Sequence, residues 1–391
     1  MVSPVTVRIG CGLSTSADPR VSAIEASQQA HTALGGAHAD VALVFACGAH
    51  LAVPEATIEG VRESLVPSVL AGCGAGGVIA AGREVERGTG VAVWAASLGD
   101  GTAEAFHLGV VEGPDVMAVT GLPDLEQATA VLLLPDPYSF PTDLVLTDLA
   151  RRAPGVPVLG GIASARTLDG DAALFLDDRL CGDGAVGVVF SGVEVLPCVS
   201  QGAAPVGPEL TVTAADGHVV RELAGRPALE ALRDAIAALE PDEQALVASG
   251  LLLGIVIDGG KPEYGQGDFL VRGVIGADPE AGTLTVGARV HEGTVVRLHA
   301  RDAVSADRDL RAALGLRREA LGGEPPAGAL MFTCNGRGQA MFGLPDHDAL
   351  ALDEELAGAP VAGFFAAGEI GPVGGDPFLH GFTATVAVFP P

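Results

Sequence analysis

The sequence predicts an α/β (α+β) protein of two domains, each a mixed β-sheet flanked by helices. Three observations carry this. Short apolar runs bounded by Gly and Pro alternate with stretches of helical periodicity. Several runs are apolar throughout, as in strands covered on both faces. Finally, Gly202-Ala-Ala-Pro205-Val-Gly207-Pro208 is rich in Gly and Pro and lacks periodicity, which divides the chain into residues 1–207 and 208–391.

In order, residues 5–11 read as a first strand. Asp18-Pro19 opens a helix, with Asp as N-cap and Pro at the first helical position. Residues 41–46 form a continuous apolar strand, and 54–65 a helix. Further strands are expected at 91–98, 105–111, 130–134, 184–190 and 193–200. Past the division, 211–213 and 219–223 read as a hairpin around Asp216-Gly217. A helix follows Arg226-Pro227, then four strands at 251–257, 269–275, 283–286 and 295–299. Leu310, Ala313, Leu314 and Leu321 mark the face of an amphipathic helix over 302–321. Strand 329–333, helix 346–356 and strands 361–366 and 382–389 complete the chain.

Composition excludes some partners. A net charge of -27 argues against nucleic acid and against anionic lipid surfaces. No apolar run has the roughly 18 residues of a membrane helix. The N-terminus lacks a basic region followed by an apolar core, so a cytoplasmic location is expected. The cysteines Cys11, Cys47, Cys73, Cys181, Cys198 and Cys334 are scattered and mostly lie in apolar runs. That is the pattern of free, buried thiols.

The chemistry concentrates in the C-terminal third. Cys334-Asn-Gly336-Arg337-Gly338 ends an apolar run and places a thiol and a guanidinium among glycines. Arg337 offers a planar fork for a carboxylate, and the glycines expose backbone N–H groups. A helix beginning near Gly336 would add attraction for an anion and lower the pKa of the Cys334 thiol. Glu369 follows an apolar strand in Gly368-Glu-Ile-Gly371-Pro372, and His380 follows in Leu379-His380-Gly-Phe-Thr383. Two readings of Arg337 stand open: ligand contact, or a salt bridge to Asp346, Asp348 or Glu369. His380 is a ligand donor, an orienting group for Glu369, or a satisfied strand-end histidine.

Other patterns are weaker. Gly72-Cys-Gly74-Ala-Gly76-Gly77 formally satisfies G-x-G-x-x-G, but Gly82, Gly88 and Gly90 interrupt the helix that a dinucleotide site needs. A tight glycine turn near a ligand cleft, with Gly74 and Gly76 in contact, is the alternative. Cys47-Gly-Ala-His50 has ligand spacing without a second close pair, so no metal site is expected. Catalysis would use Cys334 as nucleophile and His380 as base, with Glu369 orienting the imidazole. No G-x-S-x-G elbow exists, and Gly161-Ile-Ala-Ser164-Ala does not fit its spacing.

The Cys-x-Gly-Arg-Gly, Gly-Glu-Ile-Gly-Pro and Leu-His-x-x-Thr blocks resemble the C-terminal domain of the FIST family. Gly72–Gly77, Val158-Leu-Gly160-Gly161, Gly184–Gly192 and Val199–Gly207 resemble its N-terminal domain. The resemblance covers nearly the whole chain. It implies a sensor binding a small polar ligand such as an amino acid, read out by a separate signalling protein, and it implies no defined reaction. On it, Cys334, Gly336, Arg337, Gly338, Glu369, His380, Gly74 and Gly76 form the expected ligand site. Glu369 would take an ammonium group while Arg337 takes the carboxylate. Haem is left open by the resemblance, although no C-x-x-C-H is present and no histidine is singled out. The alternatives are a protein-interaction module, as in F-box relatives, and a Cys334-dependent hydrolase or transferase.

Overall fold

The computed structural model describes residues 6–113, 117–265 and 267–391. It is α/β, with mixed sheets and flanking helices as expected. The chain forms two compact units. One comprises Met1–Val199, Leu310–Leu379 and Ala384–Pro391; the other comprises Ser200–Asp309 and His380–Thr383. The spatial division is therefore nested, whereas the division at residue 207 is linear.

The first unit repeats one motif three times. Helix Pro54–Leu65 joins strands Val41–Cys47 and Val69–Ala75. Helix Thr142–Arg152 joins Ala128–Pro135 and Val158–Gly161. Helix His347–Glu355 joins Gly328–Cys334 and Val361–Ala366. Each strand pair is parallel, as a helical crossover permits. Each pair is bracketed by antiparallel strands in its own sheet: Gly90–Ser97 and Leu174–Leu176, Ala185–Ser191 and Glu369–Val373, Thr383–Phe389 and Val78–Ala80.

A glycine recurs in the second strand of each pair. A Cβ at Gly72 would lie 1.9 Å from the Val44 carbonyl oxygen, at Gly160 2.0 Å from that of Leu133, and at Gly363 1.7 Å from that of Met331. These are also the register partners of the three glycines. Glycine is required there because the neighbouring backbone occupies the space of a side chain.

The core of this unit is largely aliphatic, around a small aromatic centre. Phe45 packs 4.9 Å from Phe364 and 6.5 Å from Phe332, and Trp94 packs 5.1 Å from Phe389, centroid to centroid. The first helix, Pro19–Ala33, starts where Asp18 accepts the Val21 N–H at 2.9 Å, and it buries Ala23, Ala26 and Ala30.

The second unit is an antiparallel sheet closed on itself. Ala203–Asp216 pairs with Val295–Arg301 on one side and Val219–Leu223 on the other; Leu251–Val256, Phe269–Asp278 and Thr283–Val286 complete the ring. Helix Ala228–Ala237 sets Leu229 and Leu232 against its aliphatic core.

Several elements differ from expectation. The expected first strand began at Val5, outside the described residues; the strand observed is Arg8–Ser14. Residues 202–208 lie mostly within strand Ala203–Asp216. Gly207, at φ +62, and Pro208 sit where the register shifts between Val206 and Glu209, so a bulge absorbs residues that a regular strand rejects. Gly72 and Gly74 belong to the buried strand Val69–Ala75, and only Gly76 and Gly77 turn. A strand, Val78–Ala80, follows them, so the G-x-G-x-x-G match lacks the helix of a dinucleotide site.

Candidate functional site

The carboxyl ends of the three parallel pairs meet within the first unit. Beyond Ala75, the Gly76 N–H donates to Ser164 Oγ at 2.7 Å. Ser164 lies just past Val158–Gly161, and its hydroxyl donates in turn to the Phe365 carbonyl. The Phe365 N–H returns to the Gly77 carbonyl at 3.0 Å, and the Asn335 N–H donates to the Ala366 carbonyl at 2.9 Å. A Cβ at Gly76 would lie 3.3 Å from Asn335 Oδ1. Gly76 and Asn335 are exposed, Ser164, Cys334 and Gly336 are half-buried, and Gly74 is buried beneath them. Two concavities of about 600 and 270 Å³ lie elsewhere in this unit and include none of these residues.

Behind Cys334 lies a buried ionic network. Arg337 Nε and Nη2 donate to Asp348 Oδ2 and Oδ1, each at 2.8 Å, with the side chains 1% and 0% exposed. Thr333 Oγ1 donates to Asp348 Oδ2 at 2.8 Å, and His347 Nδ1 lies 3.0 Å from Oδ1. Of the partners considered for Arg337, the structure selects Asp348 for the fork. Nη1 of Arg337 is buried and makes no hydrogen bond among the described residues. Burial works against both charges, yet the pairing overcomes it. Asp348 keeps Arg337 above the ordinary arginine range, with help from Glu369 and Cys334, and Arg337 holds Asp348 well below the carboxylate range.

Glu369 is fully buried and pairs through its backbone with Gly161. His380 is buried and belongs to the second unit.

The helix after Gly338 is short, Gln339–Phe342, and its first N–H donates to Glu86 Oε1 at 2.7 Å. The anion position expected near Gly336 is therefore filled by the chain's own carboxylate. Gly338 has φ +89, and a Cβ there would meet Glu86 Oε2 at 2.6 Å, so only glycine lets Glu86 approach. Glu84 does the same for the following helix, His347–Glu355, accepting the Ala349 N–H at 2.9 Å.

Ser164, Glu84 and Glu86 were not among the expected site residues. The alternation Glu84-Val85-Glu86 does carry a signal, because period two puts both carboxylates on one face and Val85 in the core. Ser164 is the polar residue after an apolar strand, and it serves as a hydrogen-bond junction.

Sequence comparison agrees with this architecture. The FIST N domain model matches residues 40–226, and the FIST C domain model matches residues 228–372. The chain belongs to the FIST family. FIST domains occur in signal-transduction sensors. This FIST protein is 45% identical over 384 residues to an uncharacterised protein of Mycobacterium tuberculosis, covering 98% of this chain and 100% of that one. It is 43% identical over 384 residues to an uncharacterised protein of Mycobacterium bovis, covering 98% and 99%. No helix among the described residues is long and apolar enough to cross a membrane.

Proposed function

We propose that this FIST protein is a sensory module that binds a small polar ligand, of the amino-acid class, at the carboxyl ends of its three parallel strand pairs. The convergence of those ends on Gly76, Ser164 and Asn335 carries the proposal. Sheets with parallel strands bind ligands beyond the carboxyl ends, where backbone groups and loop side chains face solvent together. The Asn335 amide and Ser164 hydroxyl would take the ligand's polar groups, with Cys334 and the Gly336 backbone beside them. Arg337 would act from behind: its Nε and Nη2 are committed to Asp348, while Nη1 makes no hydrogen bond among the described residues. Glu369 would balance the positive field there. Read-out would pass to a separate signalling protein.

The test is a thermal-shift panel of free amino acids, related small acids and haem on wild type and Asn335→Ala. Ligand at about 100 times its Kd adds roughly 2.7 kcal/mol, on the order of 5 to 10 °C for a domain of this size. Asn335 is exposed, so its truncation leaves the unliganded melting point nearly unchanged. A hit that shifts both proteins equally refutes the seat. A flat panel refutes small-molecule sensing and leaves the protein-interaction module.

A further inference from the structure

The edge hairpin made by Val78–Ala80 and Arg83–Val85 does more than close a sheet. Three hydrogen bonds tie it to the segment that carries Arg337 and Asp348. Gln339 N–H donates to Glu86 Oε1 at 2.7 Å, Ala349 N–H to Glu84 Oε1 at 2.9 Å, and Glu84 N–H to Asp346 Oδ1 at 2.6 Å. Two helix starts are thus held by carboxylates from one short strand and the residue after it. The second oxygen of Glu84 is buried and makes no hydrogen bond among the described residues.

The groups around Glu84 are mostly negative. Asp348 lies on the helix it caps, Glu86 is two residues along its own chain segment, and Asp346 holds its N–H. The cations nearby are committed or turned outward. Arg337 is locked on Asp348, His347 contacts Asp348, and Arg83 is exposed. An ionised Glu84 therefore carries a partly buried charge beside like charges, whereas a protonated one keeps its acceptor for Ala349 and sheds the repulsion.

We propose that the Arg83–Val85 strand is a pH-sensitive clasp over helix His347–Glu355, closed when Glu84 is protonated and loosened when Glu84 ionises. Burial first, then Asp348 and Glu86, push the Glu84 carboxyl up to about 7 in the closed state, outweighing the Ala349 and Asp348 backbone N–H groups, which favour the ionised form. Once the clasp opens, the carboxyl returns to the ordinary value of about 4.3. The sign follows: a carboxyl raised on closing favours closure fully below its open-state value. That preference drains away as pH rises toward the closed-state value, then levels off. Opening loosens the Arg337–Asp348 segment next to Cys334, which links the clasp to the strand-end seat without depending on a ligand there.

The test is amide hydrogen exchange on the full chain from pH 4 to 8.5, corrected for intrinsic rates. In wild type, protection of the Ala349 and Gln339 amides is expected to fall by up to about tenfold per pH unit between roughly 4.5 and 7, then level off. Glu84→Gln keeps an acceptor for Ala349 and is expected to give a flat profile. Glu86→Gln removes one like charge, and its fall is expected to end at lower pH. A flat wild-type profile overturns the clasp, as does a slope unchanged in Glu84→Gln. A Glu86→Gln profile identical to wild type overturns the role given to like-charge crowding.

Discussion

Replacing Asp348 by Asn removes one charge from a pair that is 1% and 0% exposed. The loss is large because of what stays behind. The Arg337 guanidinium keeps its charge in a site with little water and loses one of two 2.8 Å acceptors. The new amide also points a donor where either Thr333, at Oδ2, or His347, at Oδ1, sought an acceptor. Breaking one side of a buried pair costs about 3 to 5 kcal/mol. For a unit of this size that is on the order of 6 to 20 °C in Tm. The assay is urea unfolding of wild type, Asp348→Asn, Arg337→Met and the Arg337→Met/Asp348→Leu double variant. The double variant should recover much of the loss, since apolar replacement of a whole pair is often neutral. Acid should erode the pair only late. Arg337 holds Asp348 below the usual range, so its contribution is complete above about pH 4 and is lost as pH falls below that. A loss under about 1 kcal/mol for Asp348→Asn, or a double variant as unstable as the two singles combined, would refute this account of the network.

Two further outcomes follow from the same geometry. Gly363→Ala should abolish soluble expression or cost several kcal/mol in urea unfolding, because its Cβ would lie 1.7 Å from the Met331 carbonyl oxygen; a near-wild-type midpoint would contradict the close strand approach. In the native protein a maleimide should label half-buried Cys11 and Cys334 ahead of buried Cys47, Cys73, Cys181 and Cys198, with Cys47 further disfavoured by a pKa that burial raises to about 11. Peptide mapping checks the order, and early labelling of Cys73 would contradict the core.

Much of the fold was legible in local pattern. Asp18-Pro19 marks its helix by cap chemistry, and the apolar runs at Val41–Cys47, Gly328–Cys334 and Val361–Ala366 stand out because both faces are covered. Strand Val69–Ala75 was hidden because glycines lower the strand signal, and only the close approach of Val44 to Gly72 and of Ala173 and Leu51 to Gly74 explains them. The part of strand Ala203–Asp216 before residue 211 was hidden because a bulge tolerates Gly207 and Pro208. At the site, the Cys334–Gly338 turn was legible as polar residues among glycines. The choice of Asp348 over Asp346 or Glu369 was not, because each is a carboxylate able to take the fork and only burial geometry separates them. Ser164 and Asn335 come together through strands of separate motifs, and no local pattern carries that.

The most direct test of the central claim is amide exchange on wild type with and without the strongest binder from the ligand panel. Binding at the strand ends predicts added protection at residues 74–77, 162–165 and 334–337 together. Protection confined to other segments, with these three unchanged, would contradict the proposed seat.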